Sequence, residues 1–130
     1  MNFKNTNYLA DMYPRLYRDL GADPKNSCMA FGFECGDGWF DIINRLSAKL
    51  EPLGVIASQV KEKYGTLRFY VHSATDEAWD LIDEAELESS VTCEVCGEEG
   101  ETRDDGWVST MCNKCRADQL GKDQYRGMPY

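Results

Sequence analysis

The fold of this chain is decided by two neighbouring stretches, VIASQV at residues 55–60 and TLRFYV at residues 66–71. Both are rich in branched and aromatic residues, which are typical of β-strands. The short segment between them, residues 61–65, ends on Gly65, and glycine suits a tight turn. Together the stretches predict an antiparallel β-hairpin in which alternate side chains face a core and the solvent.

Apolar residues recur every three or four positions in the segments that flank the hairpin, which is the pattern of amphipathic helices. The pattern covers residues 7–20, where Pro14 interrupts it or opens a short second helix, residues 39–53 and residues 76–89. Asp37 lies just before the second of these helices, where its side chain is expected to cap the first turn. Residues 1–90 are therefore predicted to form an α+β domain, with helices packed on a small antiparallel β-hairpin sheet.

Two C-x2-C pairs follow this domain, Cys93 with Cys96 and Cys112 with Cys115, with fifteen residues between the pairs. This spacing is typical of four-cysteine zinc sites. Four thiolates complete a tetrahedron and leave no open position for a catalytic water, so the pattern predicts one structural zinc ion per chain. Iron, an iron–sulfur cluster and redox disulfides use the same residue type and are the alternatives.

The residues around the cysteine pairs predict a zinc ribbon over residues 91–118, packed on the preceding domain. Gly97 follows the first pair, where a tight turn benefits from its freedom at positive φ. The Asp-Asp-Gly sequence at residues 104–106 is expected to reverse a short hairpin, and Trp107 is expected to cover the metal. Residues 119–130 are expected to form a loose tail.

The acidic residues are concentrated in the C-terminal half of the chain, which has a formal net charge of -9 overall. Residues 76–105 hold thirteen acidic side chains and a single basic one, Arg103. Such a surface repels a phosphate backbone. The charge distribution therefore disfavours nucleic acid as a partner.

The sequence carries no sign of export or of a membrane anchor. Its first residues lack the apolar run of a signal peptide, and no stretch approaches the roughly 20 apolar residues that cross a bilayer. A cytoplasmic protein without a membrane partner is expected. In the reducing cytosol, its six cysteines are expected to bind metal or to remain free thiols.

A candidate ligand pocket is indicated by polar and aromatic side chains on the hairpin and at residues 34–39. Basic residues suit an anionic group and aromatic residues suit a ring, so the expected ligand is an anionic small molecule of nucleotide type. Alternatively, the aromatic side chains pack in the core and the basic ones pair with local acids on a solvated face. The candidate ligand-binding residues are Glu34, Asp37, Trp39, Lys61, Lys63, Tyr64, Arg68 and Tyr70.

Catalytic motifs are lacking in the sequence, which contains no Gly-rich phosphate loop, nucleophile elbow or paired zinc-histidine motif. His72 is the only histidine. It is expected to be structural, and an acid–base role with Glu34 or Asp37 is the alternative. Cys28 and Cys35 are expected to be free buried thiols rather than a second metal site.

Residues 28–39, CMAFGFECGDGW, and residues 59–70, QVKEKYGTLRFY, resemble a family of small uncharacterised proteins encoded by bacteriophages and prophages. The resemblance extends through residues 93–96 and 107–115 and covers roughly residues 12–116. It implies a phage origin and a zinc-binding C-terminus, and it carries no established activity.

A small acidic protein of phage type is expected to act in the cytoplasm of the bacterial host as a non-enzymatic binding module. Two partners fit this expectation: a host protein bound through the acidic helix and the ribbon, or a nucleotide-type signal of a bacterial defence system sequestered in the pocket. A zinc-ribbon regulator that binds nucleic acid is the alternative. A small hydrolase-like enzyme that uses Glu34, Asp37 and His72 is a second alternative.

Overall fold

The computed structural model describes residues 1–25, 27–104 and 108–126, and for residues 122–126 it describes the backbone only. The described residues form an α+β fold, as the sequence predicts. In this part of the chain, every helix is too short or too polar to cross a membrane. The helices are α1 (Phe3–Met12), α2 (Phe40–Leu50), α3 (Asp76–Ser89) and α4 (Asn113–Arg126), and the strands are β1 (Phe33–Glu34), β2 (Ala57–Lys63), β3 (Thr66–Val71), β4 (Glu101–Arg103) and β5 (Ser109–Met111).

The predicted hairpin is present as β2 and β3, which pair antiparallel. Strand β2 continues to Lys63, so Lys61 and Lys63 lie in the strand rather than in the connecting loop. The turn is only Tyr64 and Gly65, with φ of 54° and 83°, and positive φ at both positions is typical of a type I′ hairpin turn. A third strand, β1, pairs parallel with β2 and was not predicted as part of the sheet.

The core lies between one face of this sheet and the helices α2 and α3. The apolar face of α2 is buried, as its sequence pattern predicts, and each fully buried large side chain contributes about 1.5–3 kcal/mol to folding. Helix α3 buries Ala78, Ile82 and Ala85, whereas Trp79 is 41% exposed. The core side chains from the sheet and α2 include Phe33, Val60, Leu67, Phe69, Ile42, Ile43, Leu46 and Leu50.

Helix α3 also covers the free edge of the sheet at β3. The fully buried Ser89, at the end of α3, accepts a hydrogen bond from the backbone N–H of Leu67 at 2.8 Å. An uncovered edge strand exposes unpaired N–H and C=O groups and invites pairing with other chains. The Ser89 hydroxyl therefore provides an acceptor for the N–H of Leu67, which has no strand partner at the edge of the sheet.

Replacement of Ser89 by alanine is expected to lower the free energy of unfolding by about 1–2 kcal/mol, because a buried N–H loses its acceptor. Urea denaturation measures the effect. Ser90→Ala is the matched control, because its hydroxyl bonds only the carbonyl of Leu87 at the exposed end of the helix. Equal stability of the two variants would show that Ser89 does not protect the edge of the sheet.

The N-terminal helix is placed by Asp37, whose predicted role as a cap of α2 is wrong. A 3-10 turn at Asp37–Trp39 precedes α2, and α2 has no side-chain cap. Instead, one carboxylate oxygen of Asp37 accepts hydrogen bonds from the backbone N–H of Asn2 at 2.8 Å and from Nδ2 of Asn5 at 3.1 Å. Asp37 thus fixes the start of α1 against the turn.

Two expectations about helix boundaries also differ from the structure. Helix α1 ends at Met12, because Pro14 lacks the N–H that would continue the helix, and residues 14–20 form turns. The segment expected as a tail from residue 119 is helical to Arg126. The predicted reversal at residues 104–106 lies partly outside the described residues. Trp107, the predicted cover of the metal, lies wholly outside them.

Candidate metal centre and basic groove

The four cysteines of the two C-x2-C pairs come together in space. Their sulfur atoms all lie within 4.8 Å of one another, and the sulfurs of Cys96 and Cys112 are 3.6 Å apart. A tetrahedral zinc ion with Zn–S bonds of about 2.3 Å needs sulfurs about 3.8 Å apart. Among the described residues, this cluster of Cys93, Cys96, Cys112 and Cys115 is able to hold one metal ion.

The two pairs are presented by different kinds of backbone. The first pair lies in a tight turn closed by the backbone N–H of Gly97, which has φ of 84° and donates to the carbonyl of Cys93 at 2.9 Å. The second pair lies at the start of α4, where the backbone N–H of Cys115 points at the sulfur of Cys112 at 3.4 Å. This helix was not predicted from the sequence.

The electrostatics of the cluster require a cation if all four sulfurs are to be ionised. Burial raises the pKa of the Cys93 thiol, but hydrogen bonds from the backbone N–H groups of Cys112, Cys96 and Val95 outweigh it and lower the pKa to about 7. Burial and the neighbouring sulfurs raise the pKa of Cys115. One thiolate therefore forms readily and opposes the next, and a bound cation offsets that repulsion.

The first cysteine pair packs on the turn at residues 36–39, here called the docking turn, which has glycine at positions 36 and 38. The backbone N–H of Gly38 donates to the carbonyl of Glu94 at 2.8 Å, and that of Gly36 donates to the Glu94 carboxylate at 2.8 Å. A Cβ atom at Gly38 would lie 2.2 Å from the carbonyl oxygen of Cys93, and one at Gly36 would lie 2.4 Å from the carbonyl oxygen of Glu94. Only glycine at both positions allows the two backbones to approach so closely.

Asp37 and Trp39, which were predicted to bind a ligand, belong to this docking turn. The ring of Trp39 is completely buried, and its Nε1 donates to the carbonyl of Thr92 at 2.9 Å. Asp37 accepts from the N-terminal residues described above. Trp39 therefore packs between the core and the metal-binding segment. This position agrees with the alternative in which the aromatic side chains pack in the core.

A separate groove lies on the open face of the three-stranded sheet. Its volume is about 620 Å³, and one of its sides is formed by residues 24, 25, 27 and 28. Among the described residues that line it, none is acidic. Its lining residues are Pro24, Lys25, Ser27, Cys28, Ser58, Gln59, Lys61, Lys63, Tyr70, Val71 and His72.

Acidic side chains contact several of the residues that line the groove, and Asp23 accepts from the backbone N–H of Lys25 at 3.0 Å. Asp19 contacts Nε2 of His72 at 2.9 Å and so holds the imidazole at one end of the groove. Glu34 accepts a long hydrogen bond of 3.5 Å from the side-chain amide of Gln59. The open surface of the groove is therefore basic, although the whole chain is acidic.

The structure separates the predicted ligand-binding residues into groups. Lys61, Lys63 and Tyr70 line the groove together, and Glu34 lies beside it. Arg68 is directed to α3, where it pairs with Glu86 at 3.2 Å. This ion pair fits the alternative in which basic residues of the hairpin pair with local acids.

Tyr64 lies at the tip of the hairpin, where it is 67% exposed and is not among the lining residues of the groove. Lys25 and Gln59 are among the groove residues that were not predicted from the sequence. The alternation along β2 places Gln59 on the same face as Lys61 and Lys63, so that pattern was a usable signal. Lys25 belongs to a loop and gave no such signal.

Among the described residues, no hydrogen bond joins Glu34, Asp37 and His72 to one another. Glu34, Asp37 and His72 hydrogen-bond to different partners, respectively Gln59, the N-terminal residues and Asp19. The prediction of two buried thiols is wrong for Cys28, which is exposed, and correct for Cys35. Burial, followed by the nearby charge of Glu94, raises the pKa of the Cys35 thiol to about 12.

No protein-family model, curated protein or solved structure matches this chain. The resemblance to phage proteins therefore stays a prediction from the sequence motifs given above.

Proposed function

We propose that this protein is a non-enzymatic binding module of phage type that captures an anionic, nucleotide-like small molecule in the basic groove. The observation that carries the proposal is the lining of the groove, which includes Lys25, Lys61 and Lys63 and no acidic residue. In a chain with a net charge of -9, such a surface attracts anions against the overall field of the protein.

The groove offers the groups that a nucleotide needs. Lys61 and Lys63 are two residues apart on one face of β2, about 6.6 Å along the strand, so their ammonium groups can reach adjacent anionic groups. The ring of Tyr70 is 41% exposed and is available to stack on a planar base. Gln59 provides an amide for a base edge. The volume of the groove lies within the range of small-molecule sites, about 300–1,000 Å³.

The metal that we propose for the four-cysteine cluster is zinc, in a structural role and with one ion per chain. Its support is the ligand set, because four thiolates favour zinc and fill its tetrahedral shell. A filled shell supplies no catalytic water. The proposed ion instead holds the C-terminal segment on the turn at Gly36 and Gly38.

The resemblance to phage proteins suggests where such a module acts. In the cytoplasm of a bacterial host, a protein that binds a nucleotide without consuming it lowers the free concentration of that nucleotide. We propose sequestration of a nucleotide-type defence signal as the biological role.

One observation favours host-protein binding as a second candidate function. Helix α3 exposes Trp79 and Leu87, the latter by 71%, on a surface that is otherwise acidic. Aromatic and aliphatic anchors among charged residues are typical of protein interfaces. Capture of a basic host protein that is lost on Trp79→Ala and kept on Lys61→Gln would favour this candidate.

The Lys61→Gln and Lys63→Gln variants are each expected to weaken binding of ATP, used as the probe, by about tenfold or more. A charge-assisted hydrogen bond contributes about 1.5–3 kcal/mol, and about 1.4 kcal/mol corresponds to a tenfold change in affinity. Isothermal titration calorimetry measures the change. Lys49→Gln is the matched control, because Lys49 is an exposed lysine on α2 that does not line the groove.

Unchanged ATP affinity in both groove variants, or no binding of ATP by the wild-type protein, would contradict the proposed function. A single-stranded oligonucleotide is tested in parallel at several salt concentrations. Tighter binding of the oligonucleotide with a steep negative salt slope would instead support the nucleic-acid-binding regulator.

A further inference from the structure

The metal-binding segment contacts the tip of the β2–β3 hairpin through Thr110 of β5. Thr110 is completely buried, and its hydroxyl donates to the carbonyl of Gly65 at 2.5 Å. The hydroxyl of Thr102 lies 3.2 Å from the Thr110 hydroxyl and 3.5 Å from the carbonyl oxygen of Ser90, and it has one proton to donate to either acceptor. Both strands of the β4–β5 pair therefore take part in holding the turn.

The contact is close-packed as well as hydrogen-bonded. A Cβ atom at Gly65 would lie 3.1 Å from the Thr110 hydroxyl oxygen and 3.3 Å from the Thr102 methyl carbon. Gly65 also has φ of 83°, which side-chain-bearing residues rarely adopt. The turn thus packs closely against β4 and β5.

Thr110 is connected directly to both cysteine pairs. It lies two residues before Cys112, and its carbonyl accepts from the backbone N–H of Glu94 at 3.0 Å. Glu94 is between Cys93 and Cys96, so this hydrogen bond joins the two segments that supply the four sulfurs. A metal ion that draws the pairs together therefore also fixes the position of Thr110.

At its other end, the same contact fixes the strand that carries the lysines of the groove. Gly65 is the turn residue of the hairpin, and Lys63 and Lys61 are two and four positions before it. We propose that metal binding at the four cysteines sets the affinity of the groove for its anionic ligand, by holding the hairpin tip through Thr110. This inference rests on the proposed function of the groove.

The direction of the effect follows from preorganisation. Strand β1 pairs with β2 only at Val60 and Lys61, so the tip of the hairpin beyond Lys61 is two-stranded, and a binding site that must first be ordered binds its ligand less tightly. Metal removal is therefore expected to weaken ligand binding. Because coupling between two sites is reciprocal, the ligand is also expected to raise the equilibrium affinity of the protein for the metal by the same factor, as measured by competition with a chelator.

The test compares the metal-loaded wild-type protein, the same protein after chelation, and the metal-loaded Thr110→Val variant. Amide hydrogen exchange at residues 65–69 reports on the hairpin without any ligand, and titration with ATP reports on the groove. Exchange about tenfold faster and ATP binding about three- to tenfold weaker are expected in both altered samples. Thr92→Val is the control, because its hydroxyl bonds only the carbonyl of Glu88 and does not contact the hairpin.

The two readouts separate the two proposals. Wild-type exchange rates at residues 65–69 in both the chelated protein and Thr110→Val would overturn the inference, whatever ATP does. Failure of wild-type protein to bind ATP, together with faster exchange in the altered samples, would contradict the proposed function of the groove but not the mechanical link. If Thr110→Val does not fold, Thr110→Ser, which keeps the hydroxyl, is expected to restore folding and wild-type exchange.

Discussion

Gly38→Ala is expected to lower the free energy of unfolding by about 3 kcal/mol or more, since extra atoms in a packed interface force the backbone apart. The new methyl carbon would lie 2.2 Å from the carbonyl oxygen of Cys93 and 2.5 Å from the carbonyl carbon of Glu94. Backbone atoms cannot rotate away as a side chain can. The docking turn and the first cysteine pair must therefore separate, which also breaks the hydrogen bond from the Gly38 N–H to Glu94.

Urea denaturation of the two purified proteins, followed by circular dichroism, measures this loss. Gly121→Ala is the matched control, because a Cβ atom at Gly121 has open space around it and Gly121 lies within α4. That variant is expected to be as stable as the wild type or more stable by about 0.5–1 kcal/mol, since alanine favours a helix. Wild-type stability of Gly38→Ala would show that the metal-binding segment does not rest on this turn.

Cys96→Ser is expected to remove the metal and with it the folded structure of the C-terminal segment. The segment has few buried side chains, chiefly Cys93, Ser109 and Thr110, so apolar burial alone cannot hold it. In comparable small metal-binding segments, the metal contributes on the order of 10 kcal/mol to folding. The decrease in the free energy of unfolding is therefore expected to be larger for Cys96→Ser than for every other variant described above.

Circular dichroism during a chelator titration measures the helix content that depends on the metal, including that of α4. Cys28→Ser is the matched control, because Cys28 is exposed and lies outside the four-cysteine cluster. Metal-dependent helix content is expected in this control and absent in Cys96→Ser. A chelator that leaves the wild-type spectrum unchanged would contradict a structural role for the metal.

The elements that could be predicted from the sequence are those with a local signal. Alternation predicted β2 and β3, a helical repeat predicted α2 and α3, and the Thr75 hydroxyl caps α3 at the backbone N–H of Ala78, as expected from its position. Strand β1 has two residues and pairs parallel with β2, so it leaves no periodicity to detect. The cysteine cluster was predictable because C-x2-C spacing encodes local geometry.

The tertiary contacts of individual residues could not be predicted in this way. The sequence shows that Gly36 and Gly38 are glycines, but not that the backbone at Glu94 approaches them. For the same reason Trp39, a conspicuous aromatic residue beside polar neighbours, was assigned to a ligand pocket although it is buried in the core. The groove forms where the loop that contains Lys25 lies beside the hairpin. No local sequence pattern encodes that tertiary contact.

The most direct test is to count the metal in the purified protein by native mass spectrometry combined with elemental analysis. One zinc ion per chain is expected in the wild type and in Cys28→Ser, and none in Cys96→Ser. A folded wild-type protein that contains no metal, or a Cys96→Ser variant that keeps one zinc ion per chain, would contradict the assignment of Cys93, Cys96, Cys112 and Cys115 as a structural zinc site.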